Sequence, residues 1–323
     1  MRLFDKRGRL KRILRRLTVS LHSSVVILLY HRVFETSSDL WQLGVSPRHF
    51  AEHLKILQHN YRVLSLHDLL SSLKNARLPK RGVVLTFDDG YADNLWNAKP
   101  LLEKYEVPAT VFVASGSVDN NGFWWDELEQ ALLQSRKLPK SLQLNVQSRT
   151  YDWPMSNSDQ RQHAFTEIHQ ILQPLIASDR DQVMTEIFAW ADVDKMGRPD
   201  YRPLTTTELI QLAQSEFVDI GSHTLTHSLL PAMSKADQFA EIDGCRQKLS
   251  AILGNCVDTF SYPYGIFTLE TPEIVESAGF HVALTSEKNV VEMGANPFLM
   301  GRFSVGDWPG KQFKQQLDRF FWV

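Results

Sequence analysis

An α/β fold is predicted for this 323-residue chain: a distorted (β/α) barrel of about seven to eight parallel strands with a helical insertion. Three observations predict it. Short β-rich runs recur at residues 25–30, 61–64, 83–87, 110–114, 218–220, 258–262, 281–285 and 299–305. Segments of helical periodicity, such as 50–58 and 236–253, separate most of them. Such alternation builds parallel sheets, and about eight strands that are apolar on both faces close into a barrel more readily than they lie open. The third observation is one long interruption, from 115 to 217, several times what a crossover helix needs.

Residues 1–24 form a basic amphipathic segment: Arg2, Lys6, Arg7, Arg9, Lys11, Arg12, Arg15 and Arg16 face the single acid Asp5. Leu10, Ile13, Leu14, Leu17 and Leu21 recur among them at helical spacing. That pattern suits a helix lying on an anionic membrane and equally a solvated helix closing the bottom of a barrel. His22, Ser23 and Ser24 interrupt the apolar stretch after Leu21, so a cleaved secretory signal is not expected. No run is long enough to span a bilayer. Residues 25–323 are read as the barrel, interrupted by the insertion at about 120–203. The insertion holds Phe123-Trp124-Trp125 followed by a helical pattern, then helical stretches at 164–172 and 183–190. Its aromatic cluster suits the core of a small subdomain, the favoured reading, or a cover over a sugar-binding cleft. Beyond it the barrel resumes at Leu204, where Thr205 and Glu208 stand at capping-box spacing.

With 43% hydrophobic and 22% charged residues, the composition is that of a folded globular protein. The net charge of -2 gives no global attraction to nucleic acid. Cys245 and Cys256 have neither metal-site spacing nor a disulfide framework around them, which fits a reducing cytoplasm, with membrane association through the basic segment.

Two clusters carry chemistry. The run Val83-Val84-Leu85-Thr86-Phe87-Asp88-Asp89-Gly90 sets two carboxylates where an apolar strand ends, which in a barrel is the catalytic rim. Adjacent side chains there point in different directions, so the pair suits two distinct jobs; a helix cap beside a turn aspartate would look the same. The run Ile220-Gly221-Ser222-His223-Thr224-Leu225-Thr226-His227 sets two imidazoles four residues apart at another strand end. On a helical turn that spacing puts both rings on one face, able to bind one first-row metal ion. An aspartate from the other strand end would complete a three-ligand site with an open position, as catalytic zinc requires.

At this point the sequence resembles the polysaccharide deacetylases, carbohydrate esterase family four, whose hallmark is the NodB homology domain. Thr86-Phe87-Asp88-Asp89-Gly90 and His223-Thr224-Leu225-Thr226-His227 look like its first two motifs, and Ser261-Tyr262-Pro263-Tyr264-Gly265 is similar to its third, typically Arg-x-Pro-Tyr-Gly. The resemblance covers nearly the whole chain apart from the insertion. It implies that Asp89, His223 and His227 bind a divalent ion, zinc, that Asp88 is the catalytic base, and that the Tyr264 N–H helps hold an oxyanion. Two departures stand out: Ser261 replaces the arginine of the third motif, and no histidine follows His281. Arg302 could orient Asp88 in place of that arginine. His31, in an early Tyr30-His31 pair like that of one branch of the family, could supply the missing acid.

The expected function is therefore metal-dependent hydrolysis of the N-acetyl group of an amino sugar, in a glycan or a lipid-linked glycan precursor. Related readings are hydrolysis of an O-acetyl ester, a formamide or a non-sugar amide, since substrate choice lies in loops, or a catalytically silent glycan-binding protein.

Overall fold

The computed structural model describes residues 23–35, 39–135, 137–193 and 198–322. Its strands are β1 Val25–Tyr30, β2 Arg32–Val33, β3 Gly44–Val45, β4 Arg62–Leu64, β5 Gly82–Phe87, β6 Ala109–Val113, β7 Ser141–Val146, β8 Arg149–Pro154, β9 Val218–Ser222, β10 Thr259–Ser261, β11 Val282–Leu284 and β12 Phe303–Ser304. One parallel sheet runs β11-β10-β9-β6-β5-β1-β12, with β4 beside β5. These are the eight runs read from the sequence. Every residue of β1 (VVILLY) and β5 (GVVLTF) is buried, as expected of strands covered on both faces.

The sheet curls into a distorted barrel. Met300 bridges to Leu284 of β11, while Phe303 pairs with Leu28 of β1, so the stretch 300–304 touches both ends of the sheet. Arg302 lies between those two contacts. Because the intervening backbone is irregular, the expected strand 299–305 shrinks to β12.

The insertion between β6 and β9 differs from the all-helical expectation. It carries the helices Trp124–Glu129, Ser158–Leu172 and Ala177–Ala191, but also the antiparallel hairpin β7–β8. Leu142, Leu144 and Val146 alternate with exposed residues and point into a separate apolar core shared with Phe123, Trp124 and Trp125. Past the insertion, Thr205 caps the helix Thr206–Ala213, with Glu208 closing the reciprocal capping box.

Buried polar contacts tie the insertion to the barrel. Trp125 donates to the Tyr91 hydroxyl, which in turn donates to Asp126, both at 2.8 Å. The Arg32 guanidinium is paired with Asp93 at 2.9 Å and lies within 4.2–4.6 Å of the Phe34, Tyr91 and Tyr201 rings. Among the described residues no helix is long and apolar enough to cross a membrane. The basic segment 1–24 lies outside the described residues except for Ser23 and Ser24.

Candidate active site

The C-terminal ends of β1, β5, β9 and β10 converge on one cleft of about 280 Å³. His31, Asp88, Asp89, His223, His227 and Tyr264 all line it. Arg302, 1% exposed, stands behind Asp88. All seven residues singled out in the sequence are thus brought together.

The chain reaches this arrangement through left-handed backbone. Asp89 (φ 76°), Thr224 (φ 64°), His227 (φ 53°) and Tyr264 (φ 59°) all occupy a region that costs a non-glycine residue about 1–3 kcal/mol. Such strain concentrates where side chains must be aimed. Gly90 (φ 85°) follows Asp89, and a Cβ there would sit 3.0 Å from Val113. The two imidazoles do not meet across a helical turn, as their spacing suggested. The loop 223–227 bends at Thr224 and His227 and brings the rings to 4.9 Å.

Asp88 and Asp89 have separate surroundings. Arg302 donates from Nη1 to Oδ1 and from Nη2 to Oδ2 of Asp88, each at 2.7 Å. Ser261, at the position of the missing motif arginine, donates to Asp88 Oδ2 at 3.2 Å and accepts from Arg302 Nη2 at 2.8 Å. Burial by itself would raise Asp88, but the Arg302 guanidinium outweighs it and holds the carboxyl well below the usual carboxylate range. Among the described residues Asp89 has no such partner. Burial, then the neighbouring Asp88 charge, push it well above its ordinary value.

Asp89 instead faces the imidazoles. Its Oδ1 lies 3.7 Å from His223 Nε2 and 3.4 Å from His227 Nε2. His223 Nδ1 lies 2.7 Å from the Ser261 carbonyl, which can only accept, so Nδ1 carries the proton and Nε2 presents a lone pair. Burial lowers both histidines, leaving the neutral form that ligates metals. Bonds of about 2.0–2.2 Å around a tetrahedral ion put ligand atoms about 3.3–3.6 Å apart. The observed spacings come close to that, and a cation would relieve the burial penalty on Asp89, so the donor set fits a divalent metal. Burial also lowers His31, to about 4, despite the Asp88 charge nearby.

Trp41 and His169 are walls of the cleft that escape sequence reasoning, whereas Trp125 comes from the aromatic cluster read there as a core or a cleft cover. Trp125 packs on His227 with ring centroids 4.7 Å apart, and His169 stacks between Trp41 at 4.7 Å and Trp124 at 4.8 Å. Trp125 and His169 come from the insertion, so the Phe123-Trp124-Trp125 cluster serves both as subdomain core and as cleft wall. His169 sits in the last turn of helix Ser158–Leu172, beside the buried Ile168, and had no local signal.

The profile of the polysaccharide deacetylase family matches residues 75–283. The chain is 33% identical over 114 residues to the poly-β-1,6-N-acetyl-D-glucosamine N-deacetylase of Staphylococcus aureus, a match covering 31% of this chain and 39% of that protein. It thus spans well under two thirds of that relative's length. Among solved structures it is similar to IcaB from Ammonifex degensii, with a TM-score of 0.62 at 19% identity over 93% of this chain and 97% of that one. It is also similar to the deacetylase PplD from Streptococcus pyogenes, solved with acetate, with a TM-score of 0.60 at 18% identity over 91% and 98% of the two chains. At such identities the likeness establishes a shared fold.

Proposed function

Since the chain belongs to the polysaccharide deacetylase family, we propose that it hydrolyses the N-acetyl group of an amino sugar in a glycan, with a divalent cation held by Asp89, His223 and His227. The observation that carries this reading is the split between adjacent aspartates: Asp88 is locked by Arg302, whereas Asp89 is turned to two neutral imidazoles. One side chain is thereby kept as a base and the other as a ligand.

A bound cation, zinc by its nitrogen and oxygen donors, would supply Lewis acidity that acidifies water and polarises the acetyl carbonyl. The protein's own groups do the rest. Asp88, anionic and fixed by Arg302 and Ser261, takes a proton from the attacking water. The Tyr264 N–H, presented by its left-handed backbone, donates to the developing oxyanion. The proton on Asp88 returns through His31 to the departing nitrogen. His31 is held neutral by burial and so can accept on one side and give on the other. The C–N bond breaks, leaving acetate and a free amine on the sugar.

The substrate is an N-acetylhexosamine unit of a polymer or of a lipid-linked precursor; what supports it is the cleft wall of Trp41, Trp125 and Tyr264, together with a relative named for poly-N-acetylglucosamine. The same reading keeps the enzyme in the cytoplasm, with its basic first residues against an anionic bilayer. Metal-loaded protein incubated with acetylated oligosaccharides and lipid-linked sugars should release acetate, and Asp88→Asn should not. Release from none of these substrates overturns the reading.

A further inference from the structure

A separate cavity of about 450 Å³ shares no lining residue with the cleft. It is bounded by the loop 116–122, Trp124, Thr226 and the first turn of helix Ala177–Ala191. Its most unusual wall is Arg180, only 3% exposed. Nη2 of that side chain donates to the Thr226 carbonyl at 3.0 Å, but Nε and Nη1 are buried with no partner among the described residues. Trp124, 7% exposed, stacks on the guanidinium at 5.1 Å, and its own buried Nε1 also lacks a partner. The adjacent helix adds more donors. Its N-cap is Ile176, which offers no side-chain acceptor, and Ala177 lies on the cavity wall.

The nearby acids leave these donors unanswered. Asp119 is committed to the Thr206 N–H and hydroxyl at 2.8 and 2.6 Å, Glu127, itself a buried wall of the cavity, has an interaction of its own, and Asp181 is exposed on the helix; among the described residues none of them hydrogen-bonds Arg180 Nε or Nη1 or Trp124 Nε1. Buried donors of a charged group are normally paired, because leaving them unmade is costly. A guanidinium, an indole N–H and an uncapped helix start around one cavity call for an acceptor that carries negative charge.

We propose that this cavity is an anion site, taking a carboxylate or phosphate group on Arg180, Trp124 and the first turn of helix Ala177–Ala191. The carboxylate could be the acetate that deacetylation releases; the phosphate could be borne by a small metabolite whose hydroxyls meet Ser117, Asn120 and Asn121. Either occupant would lie one hydrogen bond from the loop carrying His227, since the carbonyl held by Arg180 belongs to the preceding residue.

Titration calorimetry of the full chain against inorganic phosphate and, separately, acetate tests this. Each titration is run on metal-loaded and on metal-stripped protein, so that anion binding at the metal centre drops out of the second arm and the result does not depend on deacetylase activity. One saturable anion per chain should persist in the stripped protein, and the preferred anion identifies the source. Arg180→Gln should weaken it about tenfold or more. Trp124→Phe keeps a ring under the guanidinium, should weaken binding by a smaller factor, and decides the matter if Arg180→Gln does not fold. Absence of saturable binding in stripped protein, meaning a cavity filled by solvent alone, overturns the proposal, as does binding that neither substitution alters.

Discussion

Arg302 and Asp88, 214 positions apart in sequence, meet as a two-pronged buried pair, with side-chain exposures of 0% and 5%. Breaking such a pair on one side strands the other charge. Arg302→Met is therefore expected to cost about 3–5 kcal/mol of stability in denaturant unfolding. Adding Asp88→Asn should recover part of that loss. Without the guanidinium the Asp88 carboxyl rises, so the acid limb of the rate profile should move to higher pH, with kcat/KM down about 10²-fold or more. An acid limb that stays in place would show that Arg302 does not govern the ionisation of Asp88.

Metal content separates the two aspartates. His223→Ala and His227→Ala should each release the ion, and chelation of the parent protein should lower its melting temperature by removing a ligand of the folded state. Asp88→Asn should keep the metal and lose the rate. Elemental analysis of purified variants decides this: stoichiometric metal in both histidine variants would refute the assigned centre, and loss of metal from Asp88→Asn would exchange the roles of the aspartates.

His31 is assigned to proton delivery at the departing nitrogen. His31→Ala should leave metal content intact and lower amide hydrolysis about 10²-fold or more, with a smaller effect on activated esters whose leaving groups need no proton. Amide turnover within a few-fold of the parent would remove His31 from the mechanism.

Far from the cleft, His67 sits between two carboxylates near the N-terminal ends of β9 and β10: Asp219 at 3.5 Å and Asp258 at 3.2 Å. Hydrogen bonds to Asp219 and then Asp258 raise it from 6.5 to about 10. The folded state thus holds the proton more tightly than the unfolded chain. The resulting stability is fully present below about 6.5 and is lost as pH rises through about 10. Since the ring is half exposed, the effect should be modest. The difference in melting temperature between the parent and His67→Gln should shrink across that window while activity is untouched. A difference independent of pH contradicts the assignment.

How much could be read from sequence depended on whether a local pattern carried the information. β1 and β5 are legible because strands buried on both faces are continuous apolar runs, and their final residues then place His31, Asp88 and Asp89 on one rim. The β7–β8 hairpin is not. Its alternation Leu142, Leu144, Val146 is present, but the turn uses Gln147 (φ 49°) and Ser148 (φ 64°) where asparagine and glycine are the usual signal. The two histidines are legible as a pair, although the loop joining them is held open by left-handed residues that no periodicity announces. Arg180 and His169 reach their places only because the insertion folds back on the barrel, a long-range event without a local trace.

The placement of Arg302 also ties the geometry of one carboxylate to the closure of the sheet. Met300 and Phe303 hold the stretch 300–304 against β11 and β1, and Arg302 between them reaches Asp88 at the end of β5. Any opening of the seam between the two ends of the sheet therefore withdraws the guanidinium that fixes Asp88, while Asp89, His223 and His227 stand on strands that the seam does not include. The seam thus acts as a clasp whose fastening is read out at the cleft as the alignment of a single side chain.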